Sequence, residues 1–161
     1  DIYLQGSTLA TFLWLAVLFA LSGQLNEMGF MSYVGERLAS MLGNVSWPLA
    51  YVVLLLLYVA MHYMFVSQSA QVLALLGVFL DVGVKTGVPV HLMGFALLFA
   101  SSYFSTLTPQ GGSQNVIFVA SNYLTQGELY RLGLLTTLFC TIMYLLIGTP
   151  WVLWVGMFLH A

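Results

Sequence analysis

A polar break interrupts an apolar stretch that runs from residue 49 to residue 80. The break consists of Ser67-Gln68-Ser69-Ala70-Gln71. The stretch is longer than the roughly 20 residues that cross a bilayer once, yet shorter than two full crossings. Two half-spanning helices that meet at a polar tip fit both facts. Polar backbone at mid-membrane needs protein or a wet cavity around it. The break therefore predicts a re-entrant helical hairpin that places a polar site inside the membrane.

The composition places the chain in a membrane. Hydrophobic residues make up 61% and charged residues only 5%, with a mean hydropathy of +0.98. A soluble domain of this size does not have such a composition. The net charge of -2 provides no basic surface, so nucleic acid is not an expected partner. The single cysteine, Cys140, excludes a disulfide and a cysteine-based zinc site.

The N-terminal part of the chain predicts one membrane span and one amphipathic helix. Residues 9–21 form an uncharged apolar run, which with its flanks, residues 6–24, is long enough to cross the bilayer once. Residues 28–42 alternate apolar and polar positions at helical spacing, which is typical of a helix lying at the membrane interface. Pro48 suits the first turn of the helix that follows. The chain begins at Asp1 without an initiator methionine or a leader, so we expect a C-terminal piece of a longer protein.

A second polar break lies further along the chain. We expect residues 81–90 to form a loop, since Gly83, Gly87 and Pro89 oppose a helix there. Residues 91–107 are apolar, residues 108–115 are polar and glycine-rich, and apolar residues resume at 116–120. This pattern predicts a helix that is interrupted inside the membrane. Residues 132–159 form a long final span, broken only by Gly148-Thr149-Pro150.

The two breaks are expected to meet at one depth and to form a site. Their side chains offer neutral donors without a carboxylate. These groups are the hydroxyls of Ser67, Ser69, Thr108 and Ser113 and the amides of Gln68, Gln71, Gln110, Gln114 and Asn115. Two helix N-termini directed at one point favour an anion, because each carries about half a positive charge. The opposing carbonyl ends leave a sodium ion or a water open as a second ligand.

Competing interpretations apply to the same residues. Serine and glutamine in membrane helices often serve only as hydrogen bonds between helices. His62 lies about one helical turn before the tip and is a candidate proton carrier, substrate ligand or packing residue, of which the pattern favours packing. The sequence holds no nucleophile, base or metal set near mid-membrane, so an enzyme is not expected. A channel subunit is an alternative, although the ring of carbonyls or charges that a selectivity filter needs is not evident.

The order of these segments resembles the C-terminal repeat of the divalent anion/sodium symporter family. Family members carry Ser-Asn-Thr at the hairpin tip, where this chain has Ser67-Gln68-Ser69. The sequence from His62 to Val72 is more similar to the branch of citrate/succinate and 2-oxoglutarate/malate translocators than to other members of the family. Residues 107–112, 120–124 and 130–133 are similar to further family segments.

The resemblance implies an all-α integral membrane fold, the C-terminal part of an inverted-repeat transporter. Residues 1–43 would belong to the scaffold, residues 44–121 to the transport part, and residues 122–161 to a loop and the final span. The missing first repeat of the same protein would supply the rest of the site. The expected location is the bacterial inner membrane.

The implied activity is elevator-type exchange of di- or tricarboxylates by a homodimer, with sodium-coupled dicarboxylate symport as the alternative. The substrate would contact Ser67, Gln68, Ser69, Gln71, Thr108 and Ser113. A sodium ion, the one cofactor left open, would lie near Ser67, Gln68, Thr108, Gln110 and Gly112. Gln68 replaces the asparagine of sodium-coupled members, and Gly77 stands where those members usually have proline. Both departures weigh against sodium coupling.

Overall fold

The computed structural model describes residues 13, 16–17, 20, 24, 27–43, 45–65, 68–108, 111–112, 115 and 123–159. Within these residues the chain is helical, and no strand is formed. The α-helices are α1 (Phe30–Leu42), α2 (Trp47–Ala60), α3 (Gln68–Lys85), α4 (Val90–Tyr103), α5 (Gln126–Met143) and α6 (Thr149–Leu159). Short 3-10 helices follow α2 (Met61–Met64) and α4 (Phe104–Leu107), and a π-helical turn (Tyr144–Gly148) joins α5 to α6. The predicted span at residues 6–24 lies mainly outside the described residues.

Helix α1 is the predicted amphipathic helix, and it packs against α3. Its Gly35 is buried, and a Cβ there would lie 3.5 Å from Val78 and 3.6 Å from Val82. The polar residues Glu36 and Arg37 are exposed on the other side. These are ordinary van der Waals distances, so the buried face of α1 packs against α3 at normal spacing.

Helices α2 and α3 are consecutive, pack against each other, and are joined at the predicted polar break. Pro48 lies in the first turn of α2, as predicted, where its missing N–H removes no helical hydrogen bond. Each arm is long and apolar enough to cross a membrane by length and composition, at Trp47–Met64 and Gln68–Lys85. The length argument from the apolar stretch alone thus does not separate a re-entrant hairpin from two spans, and the re-entrant hairpin stays a prediction.

The expected loop at residues 81–90 is shorter than predicted, because α3 continues to Lys85. Asp81 and Lys85 form an ion pair of 2.8 Å one turn apart on this helix. Gly83 is buried inside the helix, and a Cβ there would lie only 2.7 Å from Cγ of Met93. Packing against α4 therefore explains this glycine. The turn itself holds Gly87 at a φ of 83°, a left-handed conformation that favours glycine.

Helix α4 ends as the sequence predicts. It tightens into the 3-10 helix Phe104–Leu107, and Thr108 then adopts an extended conformation with φ −130° and ψ 149°. The resumption of the helix at residues 116–120 lies outside the described residues.

The C-terminal part forms one long helical stretch, Gln126–Gly156, which corrects the predicted break at Gly148-Thr149-Pro150. Proline lacks an N–H and its ring crowds the preceding turn, so an α-helix would be disrupted here. The π-helical turn absorbs the disruption: the N–H of Thr149 donates to the carbonyl of Tyr144, five residues earlier. At the other end, Thr125 and Glu128 form a reciprocal capping box that starts α5.

The core lies among α2, α3 and α4. Tyr58 of α2 is fully buried at its centre, with its ring 5.2 Å from that of Phe79 and 5.6 Å from that of Phe104. Its hydroxyl lies 3.1 Å from that of Ser101. This core supports the ends of α2 and α4, where the two polar breaks begin.

Among the residues that the structure describes, four helical stretches, including Val90–Leu107 and Gln126–Gly156, have the length and composition of membrane spans. The last one is only 17% buried and exposes many large apolar side chains. Such a surface is stable in a bilayer or against further protein, because apolar groups there need no contact with water. The all-α integral membrane fold is thus confirmed, whereas the division into three parts at residues 43 and 121 stays a prediction.

Candidate functional site

The two polar breaks meet in space. The backbone N–H of Gln68, the first residue of α3, donates to the carbonyl of Gly111 at 3.3 Å. The 3-10 helices Met61–Met64 and Phe104–Leu107, which end the preceding segments, also contact each other. The tip of the α2–α3 hairpin and the loop after α4 therefore form one polar region.

His62 occupies the centre of this region and is fully buried. Its Nδ1 lies 2.8 Å from Oε1 of Gln71, and its Nε2 lies 3.3 Å from Oγ1 of Thr108. The Nε2 of Gln71 in turn donates to the backbone carbonyl of Tyr58 at 2.7 Å. The ring of His62 stacks on Phe104, with centroids 4.5 Å apart. Both ring nitrogens thus have partners, which accords with the predicted packing role.

Gly111 fits a space that excludes any larger residue. A Cβ at this position would overlap the carbonyl oxygen of Ser105 and lie 2.5 Å from Nε2 of His62. It would also lie 2.9 Å from Oγ1 of Thr108. The absence of a side chain therefore lets the loop backbone rest directly on the histidine ring.

Asn115 closes the loop. It is buried, and its Nδ2 donates to the carbonyl of Ser105 at 2.8 Å and to that of Thr108 at 2.9 Å. These carbonyls lie at the end of the 3-10 helix, where helical partners run out. A single amide side chain thus stabilises the unwound backbone that apolar surroundings would otherwise penalise.

The structure separates the predicted site residues into three groups. Gln68 is half-buried and Ser69 is exposed, both in the first turn of α3, and Gly112 is half-buried. Gln71 and Thr108 are buried and hydrogen-bonded to His62. The others, Ser67, Gln110, Ser113 and Gln114, lie outside the described residues. The roles of all of them in binding substrate or ion stay predictions.

The region carries no formal charge among the residues that the structure describes. Every charged side chain in that part of the chain is exposed, and all belong to α1, α3, α5 or the segment before α1. Asp81 and Lys85 pair with each other near the far end of α3. The N-terminal dipole of α3 is therefore the main fixed electrostatic feature at the tip, and it favours a negative ligand.

Sequence reasoning gave too little weight to His62 and Asn115. For Asn115, the signal was available: an amide that follows a Gly-Gly pair after a broken helix can reach the carbonyls that the helix end leaves unpaired. For His62, the one-turn spacing from the tip indicated proximity, but its bond to Thr108, 46 residues later, depends on tertiary structure.

Comparison with known proteins identifies the family. The profile described as the sodium:sulfate symporter transmembrane region matches residues 1–158. Dicarboxylate transporter 2.1 from the chloroplast of Arabidopsis thaliana is 29% identical over 160 residues, which is 98% of this chain and 28% of that protein. Chloroplastic dicarboxylate transporter 1 of Spinacia oleracea is 32% identical over 143 residues, or 88% of this chain and 25% of that protein.

A bacterial transporter is also similar to this chain. An uncharacterized transporter of Haemophilus influenzae (strain ATCC 51907 / DSM 11121 / KW20 / Rd) is 31% identical over 142 residues, which is 88% of this chain and 30% of that protein. The chain thus spans less than a third of the length of these curated relatives. Because the family profile covers nearly the whole chain, the chain belongs to the sodium:sulfate symporter family, the divalent anion/sodium symporters that its motifs resemble.

Proposed function

We propose that the protein is a secondary transporter of di- or tricarboxylates, and that one substrate carboxylate binds where the tip of α3 meets the loop after α4. The observation that carries this proposal is the hydrogen bond from the N–H of Gln68 to the carbonyl of Gly111. It joins a helix N-terminus to an unwound loop in a region without formal charge. Such an arrangement favours an anion without placing a lysine in the membrane.

The names of the relatives support the substrate class. Several similar proteins are named dicarboxylate transporters. Succinate, malate, 2-oxoglutarate and citrate are the substrates of this class that we propose to test. Within the described residues, the exposed hydroxyl of Ser69 and the half-buried amide of Gln68 are the accessible side chains for a carboxylate. Ser67 and Ser113 belong to the same proposal.

We propose exchange as the mode of transport, with sodium-coupled symport as the alternative. The backbone carbonyls of Thr108, Gly111 and Gly112 each accept a hydrogen bond from the protein. Among the loop residues that the family resemblance assigns to a sodium ion, Thr108 uses both lone pairs of its carbonyl inside the protein, which favours a loop that closes without an ion. On the family resemblance, we also propose elevator-type motion, a homodimer and a location in the bacterial inner membrane.

The test uses the full-length protein in liposomes. Uptake of labelled succinate, citrate or 2-oxoglutarate is measured with and without internal unlabelled succinate, and with and without a sodium gradient. The variants are Gln68→Ala and Ser69→Ala. The matched control is Ser102→Ala, since Ser102 is an exposed residue of α4 whose hydroxyl donates to the carbonyl of Leu98 in its own helix.

Exchange predicts uptake that requires internal substrate, ignores sodium and falls in the two tip variants but not in the control. Uptake into empty vesicles that follows the sodium gradient would establish the symport alternative. No carboxylate uptake under any condition would contradict the proposed substrate class.

A further inference from the structure

We propose that His62 is a positioning residue that fixes the distance between the hairpin tip and the loop after α4, and so sets the affinity of the site for its carboxylate. This inference rests on the proposed function. The side chain of His62 is fully buried and has no direct access to substrate. In this inference it controls the position of the two segments that do have access.

The protonation pattern of His62 follows from its partners. The Nε2 of Gln71 donates to the carbonyl of Tyr58, and a carbonyl can only accept. The opposite atom of the amide, Oε1, therefore faces Nδ1 of His62 and accepts from it. In a neutral ring whose proton is on Nδ1, the other nitrogen is an acceptor. The hydroxyl of Thr108 then donates to Nε2.

The resulting chain of hydrogen bonds crosses from one break to the other. It begins at the end of α2 (Tyr58), passes through the first turn of α3 (Gln71), and reaches the loop (Thr108) through His62. Asn115 holds the carbonyl of the same Thr108 on the loop side. Thr108 is thus fixed by its side chain to the tip and by its backbone to the loop.

The histidine ring also sets the separation sterically. One edge contacts the backbone at Gly111, where not even a Cβ fits, and one face stacks on Phe104. Gly111 accepts the N–H of Gln68, so the ring and this hydrogen bond hold the same two segments. A change at His62 therefore shifts the loop relative to the α3 N-terminus, and small misplacements of ligand groups are costly.

Amide substitutions separate the two bonds of the ring. Asparagine at position 62 places a donor near the Nδ1 position and keeps the bond to Gln71, but it does not reach Thr108. Glutamine places an amide near the Nε2 position, where its oxygen accepts from Thr108. At the other end of the bond, Thr108→Val removes the hydroxyl, and Thr108→Ser keeps it.

The experiment measures KM and Vmax of succinate exchange for full-length variants in liposomes, with thermal melting of the purified proteins as a folding control. His62→Asn and Thr108→Val should each raise KM about fivefold, the size expected for losing one net hydrogen bond, with Vmax nearly unchanged. His62→Gln, which keeps a bond to Thr108, should raise KM less than His62→Asn does, and Thr108→Ser should keep KM close to wild type. In the double variant His62→Asn/Thr108→Val, KM should be no higher than in either single variant, because both remove the same bond.

The outcomes distinguish positioning from other roles. If folded His62→Asn keeps the wild-type KM, His62 only supports the fold and the inference is wrong. If Thr108→Val raises KM further in the His62→Asn background, Thr108 is a direct ligand of the substrate. That result would also overturn the inference. If His62→Asn does not fold, the KM values of Thr108→Val and Thr108→Ser decide. A raised KM in the valine variant alone supports the inference, and an unchanged KM in both variants contradicts it. Wild-type protein without carboxylate uptake would refute the proposed function itself, and this inference with it.

Discussion

At the scale of single residues, the site depends on what is small or neutral more than on what is charged. Gly111 leaves room for the histidine ring, Asn115 donates to the carbonyls of Ser105 and Thr108, and Gln71 orients the ring. A charged side chain in their place would be costly to bury in this environment. The chemistry of the candidate site therefore comes from oriented dipoles and from backbone groups.

Gly111→Ala tests this reading of the glycine. The added Cβ would overlap the carbonyl oxygen of Ser105 and press on His62, so the loop must move away from the tip. Overpacking of this kind costs about 1–3 kcal/mol of stability. We expect a lower melting temperature of the full-length protein and a loss of succinate uptake. Gly94→Ala is the control, because a Cβ on that helical glycine would meet nothing within 4 Å. Equal behaviour of both variants would contradict the packing described here.

At the scale of helices, the buried residues of α5 form a seam along one face of the helix. Leu129, Gly133, Thr137 and Thr141 are its buried residues, four positions apart. A Cβ on Gly133 would overlap the carbonyl of Thr106, and the hydroxyls of Thr137 and Thr106 lie 3.3 Å apart. Close backbone approach with hydroxyl bonds is a common way for membrane helices to associate. The seam holds α5 against the 3-10 helix that precedes the loop of the site.

Thr137→Val removes one hydroxyl of this seam without changing its shape. Hydrogen bonds between membrane helices contribute about 0.6 kcal/mol on average and up to about 1.7 kcal/mol. We expect a decrease of this size in the free energy of unfolding in detergent. Thr136→Val, at the neighbouring exposed position, should have almost no effect. A larger loss in the exposed variant would show that the seam is misassigned.

The sequence predicted these helices better than it predicted where they end. Apolar runs and Pro48 gave α2, and the polar break gave the start of α3. Gly83 and Pro150 misled, because each normally opposes a helix. In the folded chain, Met93 fills the space beside Gly83, and a π-helical turn accommodates Pro150. Both outcomes depend on tertiary packing or on a rare local geometry that spacing does not encode. The same holds for the bond between His62 and Thr108.

The re-entrant hairpin can be tested by the accessibility of its two ends. Met64 is 80% exposed next to the tip, and Ser46 is exposed before α2. Each is changed to cysteine in a full-length protein whose other cysteines, including Cys140, are replaced. A re-entrant hairpin predicts that a bulky impermeant maleimide labels Ser46→Cys from one side of sealed vesicles and labels Met64→Cys poorly from both. Rapid labelling of Met64→Cys from the opposite side would indicate two complete spans.

At the scale of the whole molecule, we propose that this chain provides one side of a larger assembly. It covers 28% of the length of one plant relative, and its last helical stretch is only 17% buried. The stretch Gln126–Gly156 spans about 46 Å at 1.5 Å per residue, which exceeds a hydrocarbon core of about 30 Å and favours a tilted helix. The substrate site proposed here is accordingly the half that this chain supplies, with the remaining ligands expected from the first repeat.

The central claim is that a carboxylate binds at the tip of α3. The most direct measurement is the rate at which a small thiol reagent modifies Ser69→Cys, with and without succinate, in the full-length protein with its other cysteines replaced. Tyr123→Cys is the control, since Tyr123 is 81% exposed in the segment before α5. We predict that succinate slows the modification of Ser69→Cys in a saturable manner and leaves that of Tyr123→Cys unchanged. Modification of Ser69→Cys at the same rate with and without saturating succinate or citrate would contradict the claim.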